Sequence, residues 1–172
     1  MLAILIPGLI IVALMVWAST RIKRIAAAAF EAETVETDDF VIQKPEGFLN
    51  NLNGDPKYTF EAYSKEFGTN ATDIRQGRVQ LTVTNNANVD QIIAGLADDG
   101  DEIAEDVTEI IGATRYRLIE AKRDENGHDL CVIYKIAVKD SRVYKLETIR
   151  LAETSDEFAR KIEAFANSFE LK

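Results

Sequence analysis

One cysteine and one histidine are the only thiol and imidazole groups in this chain of 172 residues. Cys131 alone closes no disulfide framework, and a structural zinc site needs several Cys or His ligands, so the chain cannot build one by itself. His128 and Cys131 are close in sequence but project to opposite faces of a strand, which argues against a Cys/His nucleophilic pair. Cys131 lies in an apolar run and reads as a small buried hydrophobe, and His128 as an exposed turn residue. Glycine-rich phosphate loops, a nucleophile elbow and a dinucleotide fingerprint are missing. Nothing here nominates a catalytic residue or a cofactor. Positive charge is scarce as well, with 20 Lys and Arg against 29 Asp and Glu, a net charge of −9. A phosphate backbone needs a basic face, so nucleic acid is not an expected partner.

What the chain does have is a long uncharged run, Leu2 to Thr20, followed at once by Arg21, Lys23 and Arg24. At ~1.5 Å rise per residue, about nineteen residues cover ~28 Å, close to the ~30 Å core of a bilayer. The run reads as a single-pass transmembrane anchor over residues 1–20. A cleaved signal would carry its positive charge before the run, and Trp17 sits where amphipathic rings prefer headgroup depth. Pro7 and Gly8 fall in the first two turns, where missing backbone donors cost least. The basic collar places the amino terminus outside and the large domain in the cytoplasm, with a periplasmic or lumenal side left open. The same collar is positioned to touch lipid headgroups.

Residues 21–38 continue as collar, a helical stalk rich in Ala and Glu to about Glu33, and an acidic neck of Glu31, Glu33, Glu36, Asp38 and Asp39. Residues 39–172 then form one domain. Phe40 to Gln43 alternates as a strand, and a loop dense in Asn, Gly and Pro follows, with Phe48 and Leu49 as apolar plugs. Strands are expected around Tyr58–Tyr63, Val79–Thr84, Thr108–Ala121, His128–Val138 and Arg142–Leu151. Asn126-Gly127 and Asp140-Ser141 supply hairpin turns between the last three. Asn88 caps a helix whose face carries Val89, Ile92, Ile93 and Leu96. Thr154 with Glu157 forms a capping box for a closing helix with Phe158, Ile162, Phe165 and Phe169 on one stripe. Consecutive antiparallel strands with flanking helices make the class α+β.

Three features are weighed as surfaces. Asp98, Asp99, Asp101, Glu102, Glu105 and Asp106 are dense in carboxylate but lack the spacing of a calcium loop, so they read as a solvated or partner-facing face and not as a calcium site. Phe48, Tyr58, Tyr63 and Phe67 cluster near the long early loop, as core if that loop packs on the sheet and otherwise as a docking patch. Asn70-Ala71-Thr72 matches a glycosylation sequon, a triplet that also arises by chance.

Phe40-Val41-Ile42-Gln43-Lys44-Pro45-Glu46-Gly47-Phe48, with Ile111-Gly112, Val143-Tyr144-Lys145-Leu146 and the closing Asn167-Ser168-Phe169, resembles the PsbP-like group of α/β/α sandwiches over residues 39–172. The best-known member of that group is an extrinsic photosystem II protein. The resemblance implies a role in binding or assembling a larger membrane-associated complex, without catalysis, and pulls the compartment away from the cytoplasm. It transfers no functional residue. The expected function is a membrane-anchored accessory or assembly subunit of a respiratory or photosynthetic complex, which touches lipid through its helix. The alternative is a tethered module that shelters a small apolar ligand between sheet and helix.

Overall fold

The computed structural model describes residues 2–52, 54–64 and 75–172, with side chains of 2–10 and 26 outside the description. In chain order the elements are α1 (Leu2–Ala28), β1 (Glu33–Glu36), β2 (Phe40–Lys44), β3 (Phe48–Asn50), β4 (Phe60–Ser64), β5 (Gly77–Asn85), α2 (Val89–Asp98), β6 (Glu102–Ile111), β7 (Thr114–Glu125), β8 (His128–Lys139), β9 (Arg142–Leu151), α3 (Asp156–Asn167) and β10 (Glu170–Leu171). A seven-stranded sheet runs β3-β4-β5-β9-β8-β7-β6, and a small sheet runs β1-β2-β10. Every pairing between these strands is antiparallel.

Both faces of the large sheet are covered, which explains why β8 is so uniformly apolar. On one face α3 and the small sheet bury Phe40, Ile42, Phe48, Phe60, Phe165 and Phe169 against Val79, Leu81, Tyr144 and Leu146. Rings interlock there, with Phe48 5.4 Å and Phe60 6.1 Å from Phe165 in edge-to-face geometry. On the other face α2 lays Leu96, Ile92 and Ile93 over Ile119, Val132, Ile136 and Val143. Asn88 caps α2 as expected, its side chain accepting from the Asp90 N–H at 2.8 Å. The turns at Asn126-Gly127 and Asp140-Ser141 also form as expected, all four residues at positive φ between 51° and 79°.

Several expectations are corrected. Among the described residues no helix is long and apolar enough to cross a membrane. The helix α1 itself forms, but its described side chains begin at Ile11. Leu2, Pro7 and Gly8 lie in its backbone, their side chains outside the description. The helical stalk stops at Ala28, short of Glu33. The acidic neck is partly strand, since β1 pairs with β2 and Val35 packs on the core. A ladder and one buried valine there outweigh the preference of a carboxylate run for solvated coil.

Phe48, read as a loop plug, heads β3. The single strand expected over Thr108–Ala121 is a hairpin of β6 and β7 turning at Gly112, whose φ is 61°. Because β6 begins at Glu102, it also takes in Glu102, Glu105 and Asp106 of the carboxylate-dense stretch. The cap of α3 is Ser155, one residue after the expected Thr154, with Oγ accepting from the Phe158 N–H. Phe169 leaves the helix and is buried beside β10. Phe67 and the Asn70-Ala71-Thr72 sequon lie outside the described residues.

Phe165 is the ring on which the α3 face converges, so Phe165→Ala is expected to lower the unfolding free energy by about 3–5 kcal/mol in urea denaturation. A loss under about 1 kcal/mol would mean that the face is loosely packed.

Candidate functional site

The residues nominated from sequence do not form one site. Phe48 has no exposed surface and belongs to the core, because β3 lays it under α3. Tyr58 and Tyr63 are half-buried, and the Arg75 guanidinium lies over the Tyr63 ring at 3.4 Å from its centroid. Asp98, Asp99 and Glu102 are exposed, but Asp101 between them is buried. Trp17 is exposed on α1 with the Arg21 guanidinium 5.3 Å from its ring, and Lys23 and Arg24 are exposed beyond it. Cys131 is half-buried and His128 is exposed at the head of β8.

Asp101 turns inward because a cation lies under it. Arg123 on β7 donates Nε to Asp101 Oδ1 at 2.9 Å and Nη2 to Oδ2 at 3.0 Å, a two-pronged pair. The Tyr134 hydroxyl donates to Asp101 Oδ2 at 2.5 Å, and Arg123 also faces Glu147 at 3.1 Å. Burial and then the Glu147 charge push the Tyr134 hydroxyl far above the usual phenol range, so it is held as a donor. Asp101, Arg123, Tyr134 and Glu147 satisfy one another. The cluster therefore reads as a polar staple between the α2–β6 connection and the sheet. No signal in the sequence separates Asp101 from its acidic neighbours, since the distinction is made by Arg123, twenty-two residues further along the chain.

A second buried cation joins α1 to the domain. Lys44 is only 1 % exposed, and its Nζ donates to the carbonyls of Phe48 at 3.0 Å, Ala29 at 3.4 Å and Glu31. Ala29 and Glu31 follow the last turn of α1, where carbonyls lack helical partners and attract a cation. Desolvation lowers the Lys44 pKa, since burial disfavours the charged form. The Gly47 N–H donates to the Phe30 carbonyl at 2.8 Å on the same joint. The segment just after the helix, residues 29–31, is thereby tied to the β2–β3 turn. Lys44 is the first inward position after Ile42 on an alternating strand, so its burial was legible from period two even though its partners were not.

Concave surface lies at the far end of the sheet. A cleft of about 880 Å³ follows the Gly112-Ala113 turn, the ends of β7 and β8 and the carboxy-terminal Glu170–Lys172. Its apolar lining includes Ile136, Val138 and Leu171, and its cations are Arg115, Arg117, Lys139 and Lys172. Arg117 is taken by Asp106, and Lys172 by Glu36 at 2.8 Å. Arg115 and Lys139 make no ion pair among the described residues. Asp90 and Glu170 line the cleft as well, so its apolar floor is ringed by charge of both signs. Between α3 and the sheet, where an apolar ligand was expected, the rings of Phe48, Phe60, Phe158 and Phe165 occupy the interface.

No protein-family model and no curated protein matches the chain. Three solved structures resemble it across most of its length. Cyanobacterial PsbP (CyanoP) from Synechocystis sp. PCC 6803 aligns at 10% identity over 83% of this chain and 92% of its own, with a TM-score of 0.53. LpqN of Mycobacterium tuberculosis, involved in cell envelope biogenesis, aligns at 10% identity over 83% and 91%, with a TM-score of 0.59. The Ran-binding protein Mog1p of Saccharomyces cerevisiae aligns at 8% identity over 83% and 96%, with a TM-score of 0.54. The fold is PsbP-like, as the sequence resemblance implied; identities this low speak of fold alone.

Removing one member of a buried ion pair strands the other, so Asp101→Ala is expected to cost about 3 kcal/mol, with Glu147 still facing Arg123. Tyr134→Phe removes the hydroxyl that donates to Asp101 and accepts from Arg123 Nη2 at 2.6 Å, and is expected to cost about 1.5–3 kcal/mol. Chemical denaturation of both variants checks this. Two near-neutral values would contradict the staple.

Proposed function

We propose that this chain is a non-enzymatic accessory or assembly subunit, brought to a membrane by α1, whose acidic domain binds a larger membrane-associated complex, respiratory or photosynthetic. The observation that carries this reading is the apolar surface of α1. Ile11, Val12, Leu14, Met15, Val16 and Trp17 are each 53–66% exposed. At ~100° per residue they point all round the helix. A helix apolar on every side is stable only when lipid or protein surrounds it. The uncharged sequence from Leu2 to Thr20 and the collar of Arg21, Lys23 and Arg24 favour lipid, with the collar at the headgroups. The collar favours a cytoplasmic domain.

Support for a binding role without catalysis comes from the strongly perturbed groups. Arg123 and Tyr134 are those groups, and both are taken up by hydrogen bonds to Asp101, so they are not poised for a substrate. The alternative, a tethered module for a small apolar ligand, has the cleft of about 880 Å³ in its favour.

Membrane fractionation tests the anchoring. Full-length chain is expected to sediment with membranes and to resist extraction by high salt and alkali, whereas a variant lacking residues 1–20 stays in the supernatant. Full-length chain recovered in the supernatant would overturn the proposal.

A further inference from the structure

The seven-stranded sheet ends unequally. One edge, β3, has 3 residues, and the other, β6, has 10, exposed along nearly its whole length. β7 is its one hydrogen-bonded neighbour among the described residues, so its outer backbone donors and acceptors are open to another strand. Of the devices that blunt an edge, β6 has carboxylates and an irregularity at Ala104 but no lysine or proline, so a strand that supplies cations is the one it admits.

The two faces of β6 differ in chemistry. Register with β7 puts Glu105, Val107 and Glu109 on the α3 side and, after the irregularity at Ala104, Ile103, Asp106, Thr108 and Ile110 on the α2 side. Glu105 stands directly opposite Glu120, a like-charge pair that a cation on the open side would relieve. Asp106 is already held by Arg117. Ile103, Val107 and Ile110 are 40%, 44% and 66% exposed.

We propose that β6 accepts an added strand from a partner protein, an extended segment that alternates Lys or Arg with β-branched residues. Its backbone would complete the open ladder, its cations would lie beside Glu105 and Glu109, and its apolar side chains would pack on Ile103 and Ile110. A second copy of this chain is the wrong occupant, because pairing β6 with itself doubles its four carboxylates and adds no cation. The proposal goes beyond the membrane reading and does not depend on it.

The test uses full-length protein in nonionic detergent and synthetic peptides of about ten residues, a common strand length. One alternates Lys with Val, one alternates Glu with Val, and one replaces the valines of the first with proline. Binding is read by titration, and its place by amide hydrogen exchange. The Lys/Val peptide is expected to bind about ten-fold or more tighter than the Glu/Val peptide and to slow exchange over residues 102–111. The proline peptide, of equal charge, is expected to give no such protection, because it cannot complete the ladder. Glu105→Lys with Glu109→Lys should weaken Lys/Val binding about ten-fold, and Asp98→Lys with Asp99→Lys should leave it within about two-fold. Equal binding of the Lys/Val and Glu/Val peptides, or protection elsewhere than β6, would overturn the proposal.

Discussion

Strand β8 has almost no solvent face, and the rest of the molecule is arranged to permit that. Leu130, Val132, Tyr134 and Ile136 are buried towards α2, while Lys135 and Ala137 are buried towards α3. An antiparallel sheet commonly leaves one face to water, but a strand buried on both sides needs a layer on each. The amphipathic helices α2 and α3 supply those layers, with the small sheet beside α3. Lys135 is the exception inside the sandwich. Its ammonium donates to the Asn167 carbonyl at 3.0 Å and lies 4.8 Å from the Tyr116 ring centroid. Desolvation lowers its pKa.

That lysine begins a chain of contacts that reaches the amino-terminal helix. Asn167 ends α3, and β10 just beyond it pairs with β2, with the Leu171 N–H donating to the Tyr116 hydroxyl at 2.9 Å. Strand β2 carries Lys44, which holds the carbonyls behind α1. The first and last strands of the domain therefore meet in the small sheet, over the α3 face.

The parts of this fold legible in the sequence were those fixed by local chemistry. Asn126-Gly127 and Asp140-Ser141 accept positive φ and mark their hairpins, and Asn88 marks its cap. The β6–β7 turn was missed because Ile111 and Ala113 around Gly112 carry no turn signal, and β6 is too polar to show an apolar alternation. Strand β1 was missed because its carboxylates resemble linker and only Val35 reports the ladder. Asp101 and Lys44 show where sequence reasoning stops. Each is one charge in a charged or alternating stretch, and its partners are brought close only by the tertiary fold: Arg123 and Tyr134 for one, the carbonyls after α1 for the other.

The central claim is that this domain works as part of a larger assembly at a membrane. Gentle detergent extraction of carboxy-terminally tagged chain from its native membranes, followed by sizing and mass spectrometry, tests it most directly. The account predicts a discrete large complex with the same partners in fixed ratio across preparations. Recovery as a lone monomer or homo-oligomer would contradict it.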